Sequence, residues 1–230
     1  MAPLLTLLSI PQKKEDFASY YRNALRYLAC IDLNTLGPAE QRRRAEDLGV
    51  AALLSTSIYN FGELLLHPIL DALREPGPGT KDVTWLRTLL FAFNRGDLVA
   101  FERLIPSINS HPLLRQHLDQ LRQKIHLAAL TEAVFRRPPH QRAMSFRTVA
   151  EETKVRQDDI EHLVMKALSL GLLRGTIDQV DEIAHITWVE PKVLDMKQIR
   201  GMHGRLRDWD SSVSQLGTWI EGVGHDVWAA

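Results

Sequence analysis

This chain of 230 residues has one cysteine, no net charge and no long apolar run, and each of these shortages removes a class of function. Cys30 alone can form neither an intramolecular disulfide nor a thiolate zinc site, which points to a reducing, intracellular setting. Lysine and arginine balance aspartate and glutamate at 28 each, so nothing draws the surface as a whole toward polyphosphate or an anionic membrane. The first apolar run, Leu4 to Ile10, is broken by Thr6 and Ser9 and has no charged leader, unlike a signal peptide. No stretch reaches the roughly 18 to 20 apolar residues that span a bilayer. A soluble protein is expected, with no membrane partner.

Chemical motifs are missing too. There is no H-E-x-x-H, no G-x-S-x-G and no complete phosphate loop, since Gly77-Pro78-Gly79-Thr80-Lys81 lacks the required spacing. His111 and His117 are six apart with Pro112 between them and cannot share a helix face as zinc ligands do. His67, His126, His162 and His185 are scattered, and no His-x-His pair exists. The expectation is no catalytic residue, no cofactor and no metal: not an enzyme. Arg42-Arg43-Arg44 and Arg136-Arg137 read as solvated faces.

What is present is helical periodicity. Hydrophobic residues make up 45% of the chain, enough for a sizeable core, and at this length two packed units are expected. Phe17, Tyr20, Tyr21, Ala24, Leu25 and Leu28 form one stripe. A second helix starts at Pro38 with Ala45, Leu48, Ala52 and Ser55 inward, and a third runs from Phe61 to Leu73, ahead of a loop at Pro76 to Gly79. Val83, Leu86, Leu89, Leu90 and Phe93 make a fourth. Gly96 caps it and Asp97 opens a fifth helix carrying Leu98, Phe101, Leu104 and Ile105. Short turns between such helices predict antiparallel pairs stacked as an α-solenoid over residues 1–137.

The pattern changes after Arg136-Arg137-Pro138-Pro139. Ser145 opens a short helix with Phe146, Val149 and Ala150, and Asp158 or Asp159 caps a longer one with Ile160, Leu163, Val164, Ala167 and Leu168 inward. Gly171 stops it. Two strands follow, Leu172 to Asp178 and Ile183 to Val189. Helix, turn, helix and a two-stranded wing predict a winged-helix subdomain over residues 138–191. Its second helix would face DNA with Asp158, Asp159 and Glu161, and from Gln141 to Pro191 acidic residues outnumber basic ones nine to six. That balance opposes nucleic-acid binding.

The strongest functional signal lies in residues 192–230. Ile199, Met202, Leu206, Trp209, Val213, Leu216 and Ile220 are spaced three, four, three, four, three, four, the a/d seam of a coiled coil. Gly201, Gly204 and Gly217 weaken this helix by about 1 kcal/mol each relative to alanine. Partner chains would supply what propensity lacks; the alternative is an amphipathic helix folded back on its own domain.

Four segments carry a resemblance. Asn60-Phe61-Gly62-Glu63-Leu64-Leu65-Leu66-His67-Pro68, Ala92 to Phe101, Leu163 to Leu172 with Gly175-Thr176-Ile177-Asp178-Gln179-Val180-Asp181, and Ile186 to Asp195 resemble the PCI-domain subunits of the 26S proteasome regulatory-particle lid. The Gly-x-Ile-Asp-x-Val element is shared by PCI domains generally, including those of the signalosome and translation initiation factor three. The likeness runs from about Asp16 onward. Most of the family's N-terminal repeat arm has no counterpart, which suggests a shortened form, and the loop at Pro76 to Thr80 is longer than the family pattern.

The resemblance implies a mainly α fold, with helical repeats, a winged helix and a C-terminal helix, and a scaffold role in ubiquitin-dependent degradation in cytoplasm and nucleus. The implied partners are other lid subunits in a hetero-oligomer. A neighbouring PCI subunit would meet the wing edge at Arg174, Gly175, Thr176, Ile177 and Asp178. Deubiquitinase subunits would be reached through a helical bundle, and the ubiquitin-receptor subunit through the repeat arm. A PCI subunit of another assembly and a winged-helix nucleic-acid binder are the two other readings.

Overall fold

The computed structural model describes residues 16–31, 36–74, 83–191 and 196–228. The apolar run at Leu4 to Ile10, the loop at Pro76 to Lys81 and the segment Lys192 to Asp195 lie outside them. The chain divides after Pro191 into two compact units.

The first unit opens with α1 (Phe17–Ala29), whose N-terminus is capped by Asp16 accepting from the Ser19 amide at 3.1 Å. Its stripe buries Tyr20, Tyr21, Ala24 and Leu28 against α2 (Pro38–Leu54). Pro38 stands at the first helical position, where its missing N–H costs nothing. The expected third helix is two pieces, α3 (Gly62–Leu66) and a 3-10 helix (Pro68–Leu73). Pro68 forces the break: a residue before proline is held extended, and His67 sits at φ −75° and ψ 131°.

Next come α4 (Thr84–Arg95), α5 (Leu98–Ser110), the single turn α6 (Pro112–Gln116) and α7 (Leu118–Arg136). Gly96 closes α4 at φ +65°, and a Cβ there would lie 2.6 Å from the Cα of Ala129. Handedness and space both demand glycine at this point. Asp97 then caps α5 by accepting from the Ala100 amide at 3.0 Å. Each helix packs on sequence neighbours, α1 on α2 and α4 on α5, with α2, α4 and α5 all reaching α7. This is the helical-repeat arrangement.

α7 serves two cores. Leu121, Ile125 and Ala129 complete the helical one, whereas Leu127, Leu130, Ala133 and Val134 turn toward the second. That second core belongs to the winged helix: β1 (Ala143–Ser145), α8 (Phe146–Thr153), α9 (Gln157–Ser169), β2 (Leu173–Asp178) and β3 (Ile183–Val189). Ser145 ends β1 and caps α8 through the Thr148 amide. The expected two-stranded wing is a three-stranded antiparallel sheet in the order β1-β3-β2. β1 spans three residues, too few to show a period of two. The expected aspartate cap of α9 is also corrected. Arg156 holds the cap position with no side-chain capping bond, and Asp158 and Asp159 lie in the first turn, where the helix dipole favours them. Gly171, at φ +73°, follows the end of α9 as expected.

The second unit is α10 (Met196–Trp228), one continuous helix of 33 residues.

Candidate protein interfaces

The wing edge begins with strand order. β2 pairs only with β3, so its other side is a sheet edge among the described residues. Of the five residues expected to form an interface there, Arg174, Thr176 and Asp178 are exposed, and the Arg174 guanidinium lies 4.5 Å over the Trp188 ring. Three of the five also have tasks within the chain. Ile177 packs against the winged-helix core. Gly175 sits at an irregularity in the β2–β3 register, and a Cβ there would fall 2.0 Å from the His185 carbonyl oxygen. Asp178 closes the hairpin, its Oδ1 accepting from the amides of Val180 at 3.0 Å and Asp181 at 3.1 Å. The Gly-x-Ile-Asp-x-Val element thus reads as close approach, core contact, turn and display, because Val180 stands 92% exposed at the hairpin tip. Val180 is not among the five residues expected at this edge.

The α10 seam is the second surface. Ile199, Met202, Leu206, Trp209, Val213, Leu216 and Ile220 are all exposed, with Trp209 at 66% and Leu206 at 57%. A seven-residue apolar line open to water is far from the scattered single residues that need no explanation. Trp219, at 61%, widens it and was not selected from the sequence.

The surface that a DNA-binding winged helix would use is acidic. Asp158, Asp159 and Glu161 begin α9, and Gln179 on the wing donates to Glu161 at 3.2 Å, so wing and helix meet there. Gln157 likewise donates to Glu182 at 2.8 Å.

In the arginine runs, Arg44 and Arg137 depart from the solvated faces expected. Arg44 is only 13% exposed: its Nε donates to Glu40 at 2.7 Å, and its guanidinium lies 4.9 Å over the Tyr27 ring. Arg137 donates to the Ala133 carbonyl at 2.9 Å and pairs with Glu152, tying the end of α7 to α8. Arg136, in contrast, is exposed and pairs with Glu132.

One buried, heavily engaged charge is absent from the residues expected to matter. Lys124, on α7, is 6% exposed, and its Nζ donates to the carbonyls of Ala52 at 2.9 Å, Leu53 at 3.1 Å and Ser55 at 2.7 Å. These carbonyls lie at the C-terminus of α2, where a helix runs out of its own donors. The rings of Tyr59 and Phe61 flank the ammonium at 5.3 and 5.1 Å. Burial pushes its pKa down to about 7. The signal was a lysine on the apolar stripe Leu121, Ile125, Ala128.

Three histidines have contacts within the fold. His67 Nδ1 accepts from the Ile69 amide at 3.2 Å, capping the 3-10 helix, and burial lowers its pKa in keeping with an acceptor nitrogen. His126 donates from Nδ1 to the Thr153 carbonyl at 2.9 Å. His111 stands 3.9 Å from Glu46. Among the described residues no group of three or more His, Cys, Asp or Glu is placed to hold a metal, and no helix is long and apolar enough to cross a membrane. Asn60 accepts from the Gly62 amide at 3.0 Å and donates to the Pro191 carbonyl at 3.3 Å, linking the start of α3 to the segment after β3.

Comparison with known proteins gives three matched stretches, of which the second begins inside α5 and the third starts where the second unit does. Residues 7–90 match the family model of PSD13 N-terminal repeats, 106–188 that of the PCI domain, and 192–224 that of the Rpn9 C-terminal helix. The Schizosaccharomyces pombe protein named "Probable 26S proteasome regulatory subunit rpn9" is 46% identical over 93% of this chain and 55% of its own length. The Dictyostelium discoideum 26S proteasome non-ATPase regulatory subunit 13 is 42% identical over 85% of this chain and 51% of its own. Translation initiation factor three subunit M of Emericella nidulans is more distant, 29% identical over 80% of this chain and 42% of its own. The chain therefore spans about half the length of the proteasome relatives it matches.

Proposed function

We propose, for a chain that belongs to the Rpn9 and non-ATPase subunit 13 family of 26S proteasome regulatory subunits, a non-catalytic scaffold role in the regulatory-particle lid. One observation carries this reading: the a/d seam of α10, in the stretch that matches the Rpn9 C-terminal helix, is open to water along its length. Seven apolar side chains gain about 0.8 kcal/mol for each buried methylene once other helices cover them. In this reading residues 1–137 form the repeat segment, 138–191 the winged helix and 192–230 the assembly helix. The partners are other lid subunits: deubiquitinase subunits through a helical bundle, a neighbouring PCI subunit through the β2 edge, and the ubiquitin-receptor subunit through the repeats. The setting is cytoplasm and nucleus.

The mechanism is positional. A strand edge carries unpaired N–H and C=O groups that a neighbour's strand can satisfy, which fixes orientation, while the seam supplies affinity. Replacing Thr176, which lies opposite His185 in the β2–β3 pair, with proline disrupts β2 and should weaken pairing with the neighbouring PCI subunit; undiminished co-assembly would count against this edge. The direct test of the role is mass spectrometry of proteins that co-purify with the tagged chain. Lid subunits in stoichiometric amounts are expected, and a set drawn from initiation factor three instead would overturn the assignment.

A further inference from the structure

The charges of α10 are sorted along its length. Between residues 199 and 222 the basic Arg200, Arg205 and Arg207 all precede the acidic Asp208, Asp210 and Glu221. This order opposes the helix dipole, which favours acidic groups at the N-terminus, and the first turn of α10 has none. Stability of a lone helix does not account for it. A parallel copy would set basic half on basic half, whereas an antiparallel copy sets each half against its opposite.

The seam and the charges select one register. With a two-fold axis passing between Arg207 and Asp208, Ile199 lies level with Leu216 of the second copy, Met202 with Val213, and Leu206 with Trp209. The same axis sets the basic half of each copy level with the acidic half of the other, without direct ion pairs, because Arg205 and Asp210 fall on opposite flanks of the seam and Arg207 and Asp208 face outward. It also sets His203 and Asp210 on a common flank, twice. Sliding by one heptad toward the C-terminus places Asp210 beside its own copy, where like charges repel.

We propose that α10 pairs antiparallel with α10 of a second copy of this chain, an isologous two-fold contact that covers the seam when no other helix does. The pairing does not depend on the lid assignment. It gives an unassembled subunit a way to hide its apolar line from water.

The test uses the full chain. Sedimentation at roughly 100 µM should show a dimer. The triple change Arg200→Glu, Arg205→Glu, Arg207→Glu leaves residues 199–222 without a lysine or arginine and should weaken dimerisation by at least about tenfold, with circular dichroism confirming that the fold persists. Orientation is read in a Cys30→Ser background by oxidising Met202→Cys chains, Val213→Cys chains and their mixture. A cross-link confined to the mixture is expected. A wild-type monomer at that concentration, or a Met202→Cys homodimer that cross-links by itself, overturns the proposal. A monomer that still co-purifies with lid subunits sinks the pairing and leaves the scaffold role standing; a dimer that never enters a lid does the reverse.

Discussion

Lys124 caps the end of α2 from a different helix, and the consequence can be measured. Lys124→Met keeps most of the stem's packing but leaves the carbonyls of Ala52, Leu53 and Ser55 without their buried donor. A loss of about 2–3 kcal/mol in urea unfolding is expected, since an orphaned buried acceptor bears its full desolvation cost. The pH dependence has a definite sign. With the folded pKa near 7 and the ordinary value 10.5, the unfolded chain holds more protons in between, so the lysine's contribution to stability rises with pH across that window. Lys124→Met should flatten this rise. Burial lifts Tyr20 and Tyr21 to about 12, so stability should fall again above pH 10, in variant and wild type alike. Glycines make a second residue-scale contrast. Gly175→Ala drives a Cβ into the His185 carbonyl and should cost at least about 2–3 kcal/mol, whereas Gly171→Ala meets open space and suffers only its positive φ, about 1–2 kcal/mol. Thermal melts of equal depth for the two would show that the register irregularity at Gly175 relaxes freely. The element Gly-x-Ile-Asp-x-Val was visible in the sequence, but the reason for its glycine was not, because the clash is with a strand ten residues away.

At the scale of elements, the sequence was most legible where one face of one helix meets one core. α1, α4, α5, α8 and α9 follow their apolar stripes. It was least legible where two cores share an element or where pairing is short. α7 is apolar on several sides because it faces both cores, which blurs its period. β1 is three residues, and the Phe61 to Leu73 stripe hid a break that depends on the backbone limits around one proline. Both candidate interface elements were legible as a strand and a helix. The β2 edge gives up Gly175, Ile177 and Asp178 to internal tasks, while Val180 at the tip went unselected. α9 carries a further prediction. Its acidic start and the acidic wing beside it should leave duplex DNA unbound in a gel shift at physiological salt. A tight, salt-resistant, sequence-dependent complex would contradict the electrostatics of this face.

For the whole molecule the central claim is that the two units have separate duties. Residues up to Pro191 enclose both hydrophobic cores, and α10 displays a seam that no residue of those cores includes. Removing residues 192–230 should therefore leave a cooperative unfolding transition and abolish incorporation into a larger particle. The sharper measurement changes two side chains. Leu206→Asp with Val213→Asp puts two carboxylates on the packing line, where each must be desolvated without a partner at a cost of several kcal/mol. Rotating the helix to avoid this would expose Met202, Trp209 and Leu216 instead. Tagged wild-type and doubly substituted chains, expressed in the same cells and purified under the same conditions, should differ in one respect: lid subunits accompany the first and are lost from the second, while both chains unfold at the same urea concentration. A double variant that recovers the lid subunits in full but unfolds at lower urea would show that the seam packs on its own chain, and would contradict the account.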